Sequence, residues 1–150
     1  MLGLPKKTLL AIEAVLDIAY HSTGVPVQSS DITARQSIAR RSLEPLLQQL
    51  TRAGILAGVR GPRGGYRLAK ERRRISVGDV VRVAESIDDE EGSNPTPLSE
   101  LGARIVTPLI HTLQEEVMAR LDAISIEDLC TRARAAGVDC GGRSTADFII

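Results

Sequence analysis

Aromatic side chains are scarce in this 150-residue chain, which has no tryptophan and only Tyr20, Tyr66 and Phe148. An interior must therefore be filled by Ala, Leu, Ile and Val, which suits packed helices. Cysteine is scarcer still. Cys130 and Cys140 cannot form a disulfide framework. No apolar run approaches the ~18 residues that cross a bilayer. Met1 to Lys7 carries neither a long apolar segment nor a cleavage pattern. The expectation is a soluble cytoplasmic protein with no membrane partner. Catalytic groupings are lacking as well. There is no His/Asp/Ser constellation, no phosphate loop between strand and helix, and no metal-ligand spacing, so an enzyme is not expected. Even net charge is missing, with 19 Lys/Arg against 19 Asp/Glu.

That zero conceals a division. Residues 1–84 hold fourteen Lys/Arg against six Asp/Glu, a net +8, and residues 85–150 hold five against thirteen, a net −8. The first half can face a polyanion while the second faces away from it.

What the chain does contain is a short basic hairpin signal. Two β-prone runs, Ile55 to Arg60 and Gly65 to Ala69, flank a Gly61-Pro62-Arg63-Gly64 turn. Pro62 fixes one backbone angle, while Gly61, Gly64 and Gly65 permit positive ones. The hairpin carries Arg60, Arg63 and Arg67, with Lys70 and Arg72 to Arg74 just behind. Such a hairpin directly after a helix pair reads as the wing of a winged helix-turn-helix, whose natural partner is double-stranded DNA.

Helical periodicity supplies the rest. A first helix from Lys6 to Tyr20 has a stripe of Leu9, Ile12, Val15, Leu16 and Ala19. Val25-Pro26-Val27 is extended. Ser29 or Ser30 caps a short helix through Arg35. A third helix from about Arg41 to Ala53 aligns Leu43, Leu46, Leu47 and Leu50 and stops at Gly54. Pro45 fits its first turn if Ser42 is the cap, the favoured reading, and implies a kink if the helix begins near Ala39. Ser76 and Asp79 form a capping box for a helix to about Ser86. A long helix ends near Ala123, with Pro108 marking either its main start or a kink. Ser125 to Asp128 caps a last helix to about Ala136. The expected fold is mainly α with a small β-hairpin. It comprises a winged helix-turn-helix domain (1–86), an acidic linker (87–98), a long dimerisation helix with a terminal helix (99–136), and a disordered tail (137–150). Leu109, Leu113, Val117 and Leu121 form the stripe expected to pair with a second copy.

Several of these runs together resemble the Rrf2 family, the IscR, NsrR and CymR group of winged helix-turn-helix regulators. They are Ala14 to Ala19, Ser42-Leu43-Glu44, Ala53-Gly54-Ile55-Leu56, Arg60 to Tyr66, Ile75 to Val81 and Ile124 to Leu129, and the resemblance covers roughly residues 4–135. It implies a dimeric transcription regulator, usually a repressor, that binds a palindromic promoter site. The family's third helix enters the major groove and the wing reaches the adjacent minor groove. Carried over, Arg40, Arg41, Ser42 and Glu44 lie at the groove contacts, and Arg60 matches the minor-groove arginine. Gly61, Pro62, Arg63, Gly64, Gly65, Tyr66 and Arg67 complete the wing surface. Many relatives have Gln at the position of Pro45, so an amide contact there is lost. Glu44 has two readings: it accepts from a cytosine amine, or it complements a helix N-terminus. Arg63 contacts phosphate or stands idle on the surface. Tyr66 packs the hairpin against the domain in preference to stacking on a base.

Many members hold an iron–sulfur cluster on three cysteines after the fourth helix. Here that segment reads Asp-Asp-Glu-Glu-Gly-Ser-Asn-Pro-Thr-Pro from Asp88, and no cysteine precedes Cys130. A three-thiolate cluster is excluded, and no cofactor is expected. Asp88, Asp89, Glu90 and Glu91 with His111 read as a solvated linker in preference to a metal site. His21 complements the dipole of the first helix. Cys130 is expected as a buried thiol and Cys140 as an exposed one, with a redox role open for both. Cluster-free members respond to partner proteins, thiol oxidation or small molecules, and the residues do not choose among these. The competing function is a winged helix used only for protein–protein contact.

Overall fold

The computed structural model of the chain describes residues 3–22, 24–90 and 99–138, with residues 88–90 as backbone only. Among these described residues, six α-helices and one hairpin follow in the order α1 (Lys6–His21), α2 (Ser29–Gln36), α3 (Arg40–Arg52), β1 (Leu56–Val59), β2 (Gly65–Leu68), α4 (Val77–Glu90), α5 (Thr107–Asp122) and α6 (Ile126–Ala135). A single 3-10 turn, Arg72–Arg74, separates β2 from α4.

α1 is the central strut. Ala11, Ala14, Val15 and Ile18 are fully buried and meet Leu43, Leu46, Leu47 and Leu50 of α3, Val80 and Ala84 of α4, and Ile126 and Cys130 of α6. The alanines let helices approach closely, which is how a core almost free of aromatics fills its volume. The expected stripe on α1 needs correction at Leu9, which is exposed while its neighbour Thr8 is buried. The inward face is centred on small alanines that a search for large apolar residues passes over.

Local chemistry explains several helix ends. Gly54, at φ +80°, closes α3. Its N–H donates to the Thr51 carbonyl and that of Ile55 to the Leu50 carbonyl, the double bond of a Schellman motif, with Ile55 and Leu50 both buried. Ser76 and Asp79 exchange side chain-to-backbone bonds at 3.0 and 3.1 Å to open α4. Ser125 and Asp128 do the same at 3.0 and 2.9 Å to open α6. Other boundaries differ from expectation. The cap of α2 is Gln28, whose N–H donates to Asp31 Oδ2, rather than Ser29 or Ser30, which lie inside the helix. α4 continues past Ser86 to Glu90 and takes up the first acidic residues. Residues 91–98, most of the expected linker, lie outside the described residues, as does the tail from 139.

Pro108 does not start the long helix. Helical structure begins at Glu100, and residues Gly102–Val106 widen into a π turn. The Thr107 N–H donates to the Gly102 carbonyl, five residues back. Proline has no N–H and its ring crowds the carbonyl four residues behind, and a wider turn relieves both. α5 then runs to Asp122 without a single buried residue. Its far end rests on α4, where Arg82 grips Asp122 with two bonds of 2.7 and 2.5 Å.

Candidate nucleic-acid interface

α2 and α3 form the helix-turn-helix, joined by Ser37-Ile38-Ala39. Ser37 takes the left-handed conformation (φ 53°), uncommon for a residue with a Cβ, and Ile38 plugs the turn into the core. α3 begins at Arg40, where Ser42 and Leu43 N–H groups both donate to the Ala39 carbonyl. The favoured cap at Ser42 is thus corrected: Pro45 sits inside the helix, past its first turn. Its missing N–H deprives the Arg41 carbonyl of the usual donor four residues on, at a residue that faces solvent.

At 100° per residue, the buried leucines of α3 occupy one side and Arg41, Pro45, Gln48 and Arg52 the opposite one, all exposed. Glu44 and Arg40 flank that face and pair with each other at 2.8 Å. Ser42 lies on the other flank, exposed. Gln48 and Arg52 escaped the motif comparison, although a helical projection from the four leucines would have found them. Gln48 offers an amide one turn beyond Pro45.

Three residues after α3, the hairpin pairs Leu56 with Leu68, Ala57 with Arg67, Gly58 with Tyr66 and Val59 with Gly65. The Gly64 N–H donates to the Gly61 carbonyl at 2.9 Å, closing the turn around Pro62 and Arg63. The glycines divide their duties differently from expectation. Only Gly61 has a positive φ, +108°. Gly64 and Gly65 are required for close approach: a Cβ on Gly64 would collide with the Val59 carbonyl oxygen, and one on Gly65 would lie 2.5 Å from that of Val27. Val27 pairs with Tyr66 through bonds of 2.8 and 2.7 Å, so the wing is stitched to the segment after α1. Tyr66 packs against the core, as expected.

Arg60 and Arg63 are exposed at the turn, and with Arg41 and Arg67 they make no ion pair among the described residues. Those behind the wing are partly spent internally. Arg72 pairs with Glu127 at 2.7 Å, and Arg73 with Glu71 at 2.7 Å. Arg67 lines an open cavity of about 760 Å³ at the wing base, shared with Ala19, Pro26, Glu71 and Glu127.

A cluster that no motif announced lies behind the helix-turn-helix. Asp17 of α1 is buried, and Arg35 reaches it with Nε at 3.1 Å and a terminal nitrogen at 2.7 Å. Gln36 Nε2 donates to the same carboxylate at 2.7 Å. The hydrogen bonds from Arg35 to Asp17 raise the guanidinium above its ordinary value. His21 Nδ1 lies 2.9 Å from the Asp17 carbonyl oxygen, so its role is a local bond at the end of α1.

On α5, Leu109, Leu113 and Val117 are 55%, 38% and 50% exposed, and Leu121 is half-buried. Leu113 and Val117 line a groove of about 310 Å³ with Leu4, Pro5, Ile110 and Met118. Cys130 is fully buried, and burial pushes its thiol up despite a bond from Arg72. A redox role there is opposed by its surroundings, since the thiolate is the reactive form. Cys140 lies outside the described residues. So do the side chains of Asp88 to Glu91. His111 is exposed and lies 3.5 Å from Glu115. Among the described residues, no three His, Cys, Asp or Glu side chains group as a metal site, and no helix is long and apolar enough to cross a membrane.

The Rrf2 family model, described as an iron-dependent transcriptional regulator, matches residues 4–132. The HTH-type transcriptional regulator IscR of Vibrio cholerae is 38% identical over 118 residues, which cover 79% of this chain and 66% of that protein. The chain thus matches about two thirds of that relative's length. Among solved structures, T. potens IscR superposes with a TM-score of 0.72 at 31% identity, over 92% of this chain and 93% of the other. CymR, the global cysteine regulator of B. subtilis, gives 0.66 at 26% identity, over 88% and 98%. The family's description names iron, yet a three-thiolate cluster does not fit these residues. The chain has two cysteines, and Cys130 is locked in the core. These relatives are regulators of transcription, not enzymes. A match that runs unbroken through a helix-turn-helix and wing already evident in the structure makes the chain a member of the Rrf2 family of transcriptional regulators.

Proposed function

We propose that this chain is a sequence-specific DNA-binding regulator, acting in the cytoplasm as a repressor, that binds a palindromic promoter site as a homodimer. The observation that carries the reading is the set of exposed arginines without ion pairs among the described residues, Arg41 on α3 and Arg60 and Arg63 at the wing turn, in a half-chain of net charge +8. In this reading α3 presents Arg40, Arg41, Ser42, Glu44 and Gln48 to base edges in the major groove. Arg60 enters the neighbouring minor groove. Arg63 contacts phosphate, and the tight Gly61, Pro62, Gly64 and Gly65 backbone lets the tip approach the duplex. Arg67, nearer the wing base, adds positive potential.

The homodimer rests on α5. A helix with no buried residue and a stripe of exposed Leu109, Leu113 and Val117 gains by burying that stripe against a copy of itself. The stripe Leu109, Leu113, Val117 and Leu121 with the groove beside it is the proposed seam. Its acidic surroundings keep that half away from phosphate. The two cysteines present leave the regulatory input to a small molecule, a partner protein or Cys140 rather than a three-thiolate cluster.

Duplexes selected from a random pool, titrated at several salt concentrations, test this reading. Affinity should fall by about 10³-fold or more between 50 and 200 mM salt if six or more phosphates are contacted. Salt-independent or absent binding would favour a protein-contact module instead.

A further inference from the structure

We infer that Asp17 is a positioning residue for DNA recognition, its buried carboxylate clamping the last two residues of α2 and thereby setting the path on which α3 leaves the turn. The inference rests on the DNA-binding reading above and deepens it.

α2 is poorly anchored by apolar contact. Of its eight residues only Ile32 is buried, so packing alone leaves its rotation and its end underdetermined. Polar contacts complete the task. The Asp17 side chain has no exposure, and both of its oxygens are occupied. Oδ1 accepts from an Arg35 terminal nitrogen at 2.7 Å, and Oδ2 accepts from Arg35 Nε at 3.1 Å and from Gln36 Nε2 at 2.7 Å. The planar guanidinium fork fixes direction as well as distance. His21 Nδ1, 3.6 Å from Oδ1, closes the remaining side.

The position of the clamp matters more than its strength. Arg35 and Gln36 are consecutive, and the next residue, Ser37, is the left-handed one. A strained backbone angle persists where neighbours on both sides over-determine it. Here the clamp holds one side and buried Ile38 the other, and α3 starts two residues later at Arg40. Buried ion pairs seldom stabilise more than well-packed apolar residues would. What this one supplies is a single orientation for the element that meets the bases. It also turns Arg35 inward, away from phosphate.

The test compares wild type with Asp17→Asn, and with Arg35→Lys, which keeps the charge but loses the fork. Binding is measured to a selected duplex and to a random one, alongside thermal melting and hydrogen exchange at the amides of Ser37 to Arg40. Both variants should lose at least tenfold in affinity for the selected duplex while binding the random one as wild type does, and the turn amides should exchange faster. If Asp17→Asn does not fold, Arg35→Lys and Gln36→Met carry the comparison. Variants that melt lower yet keep full discrimination and wild-type exchange would overturn the inference and leave Asp17 a purely structural residue. Should wild type itself select no duplex, the DNA-binding reading falls and takes the recognition role with it. The exchange rates would then still report whether the clamp holds the turn.

Discussion

Single residues carry the sharpest consequences. Arg60 is exposed, makes no ion pair among the described residues and sits at the mouth of the wing turn. Arg60→Ala should weaken binding to the selected duplex by about 1–3 kcal/mol if it makes a specific base contact, as anisotropy titration would show, and unchanged affinity would remove it from the interface. Glu44 is tied to Arg40. Exposed pairs four residues apart contribute only roughly 0.3–0.5 kcal/mol, and an Arg preceding a Glu is the weaker order. The pair is therefore weak enough to open when a base amine competes for the carboxylate. Cys130 belongs to the opposite category. Its burial and raised thiol value predict that a thiol reagent modifies it only after unfolding. Mass spectrometry of briefly treated native protein should find it unmodified, and rapid native labelling would contradict the packing described.

Elements show what short-range chemistry can and cannot announce. Both serine–aspartate capping boxes and the Gly-Pro-Arg-Gly turn were legible because each is complete within four residues. The duties of the wing glycines were not. Residue type suggests backbone freedom, whereas Gly65 is set by the Val27 carbonyl oxygen, nearly forty residues earlier in the chain. Gly65→Ala should therefore destabilise the wing by about 1–3 kcal/mol, while Gly58→Ala, with open space at its Cβ position, should change little. Melting curves of the two variants check the contrast. The start of α3 was misjudged for a related reason: serine is a good cap, but the first helical bonds form at Ala39, where the turn packs through Ile38. Asp17 and Arg35, eighteen residues apart, leave no local trace at all. The α4–α5 contact yields a pH prediction. Arg82 holds the Asp122 carboxyl below its ordinary value, so this pair adds stability above the unfolded carboxylate range and loses it as pH falls through the lowered folded value. Arg82→Gln should melt below wild type near neutral pH, and the gap, modest because both groups are exposed, should close in strong acid. A gap that persists there would show that the contact is not electrostatic.

At the scale of the whole molecule, a neutral chain is divided into a basic half holding the helix-turn-helix and wing and an acidic half whose α5 has no buried residue. The charge division and the family were legible in the amino-acid order. The partner for α5 is beyond it, because an exposed stripe is explained only by what covers it. If two copies meet along Leu109, Leu113, Val117 and Leu121, each presents one α3 and one wing, and symmetry in the protein must be mirrored in the DNA. The most direct measurement is therefore selection of bound fragments from the source genome, followed by alignment of the enriched sequences. The account predicts an inverted repeat whose half-sites are spaced by about one helical turn, some 10 base pairs, or a multiple of it. Enrichment of a single unrepeated element, or of no sequence at all, would contradict it.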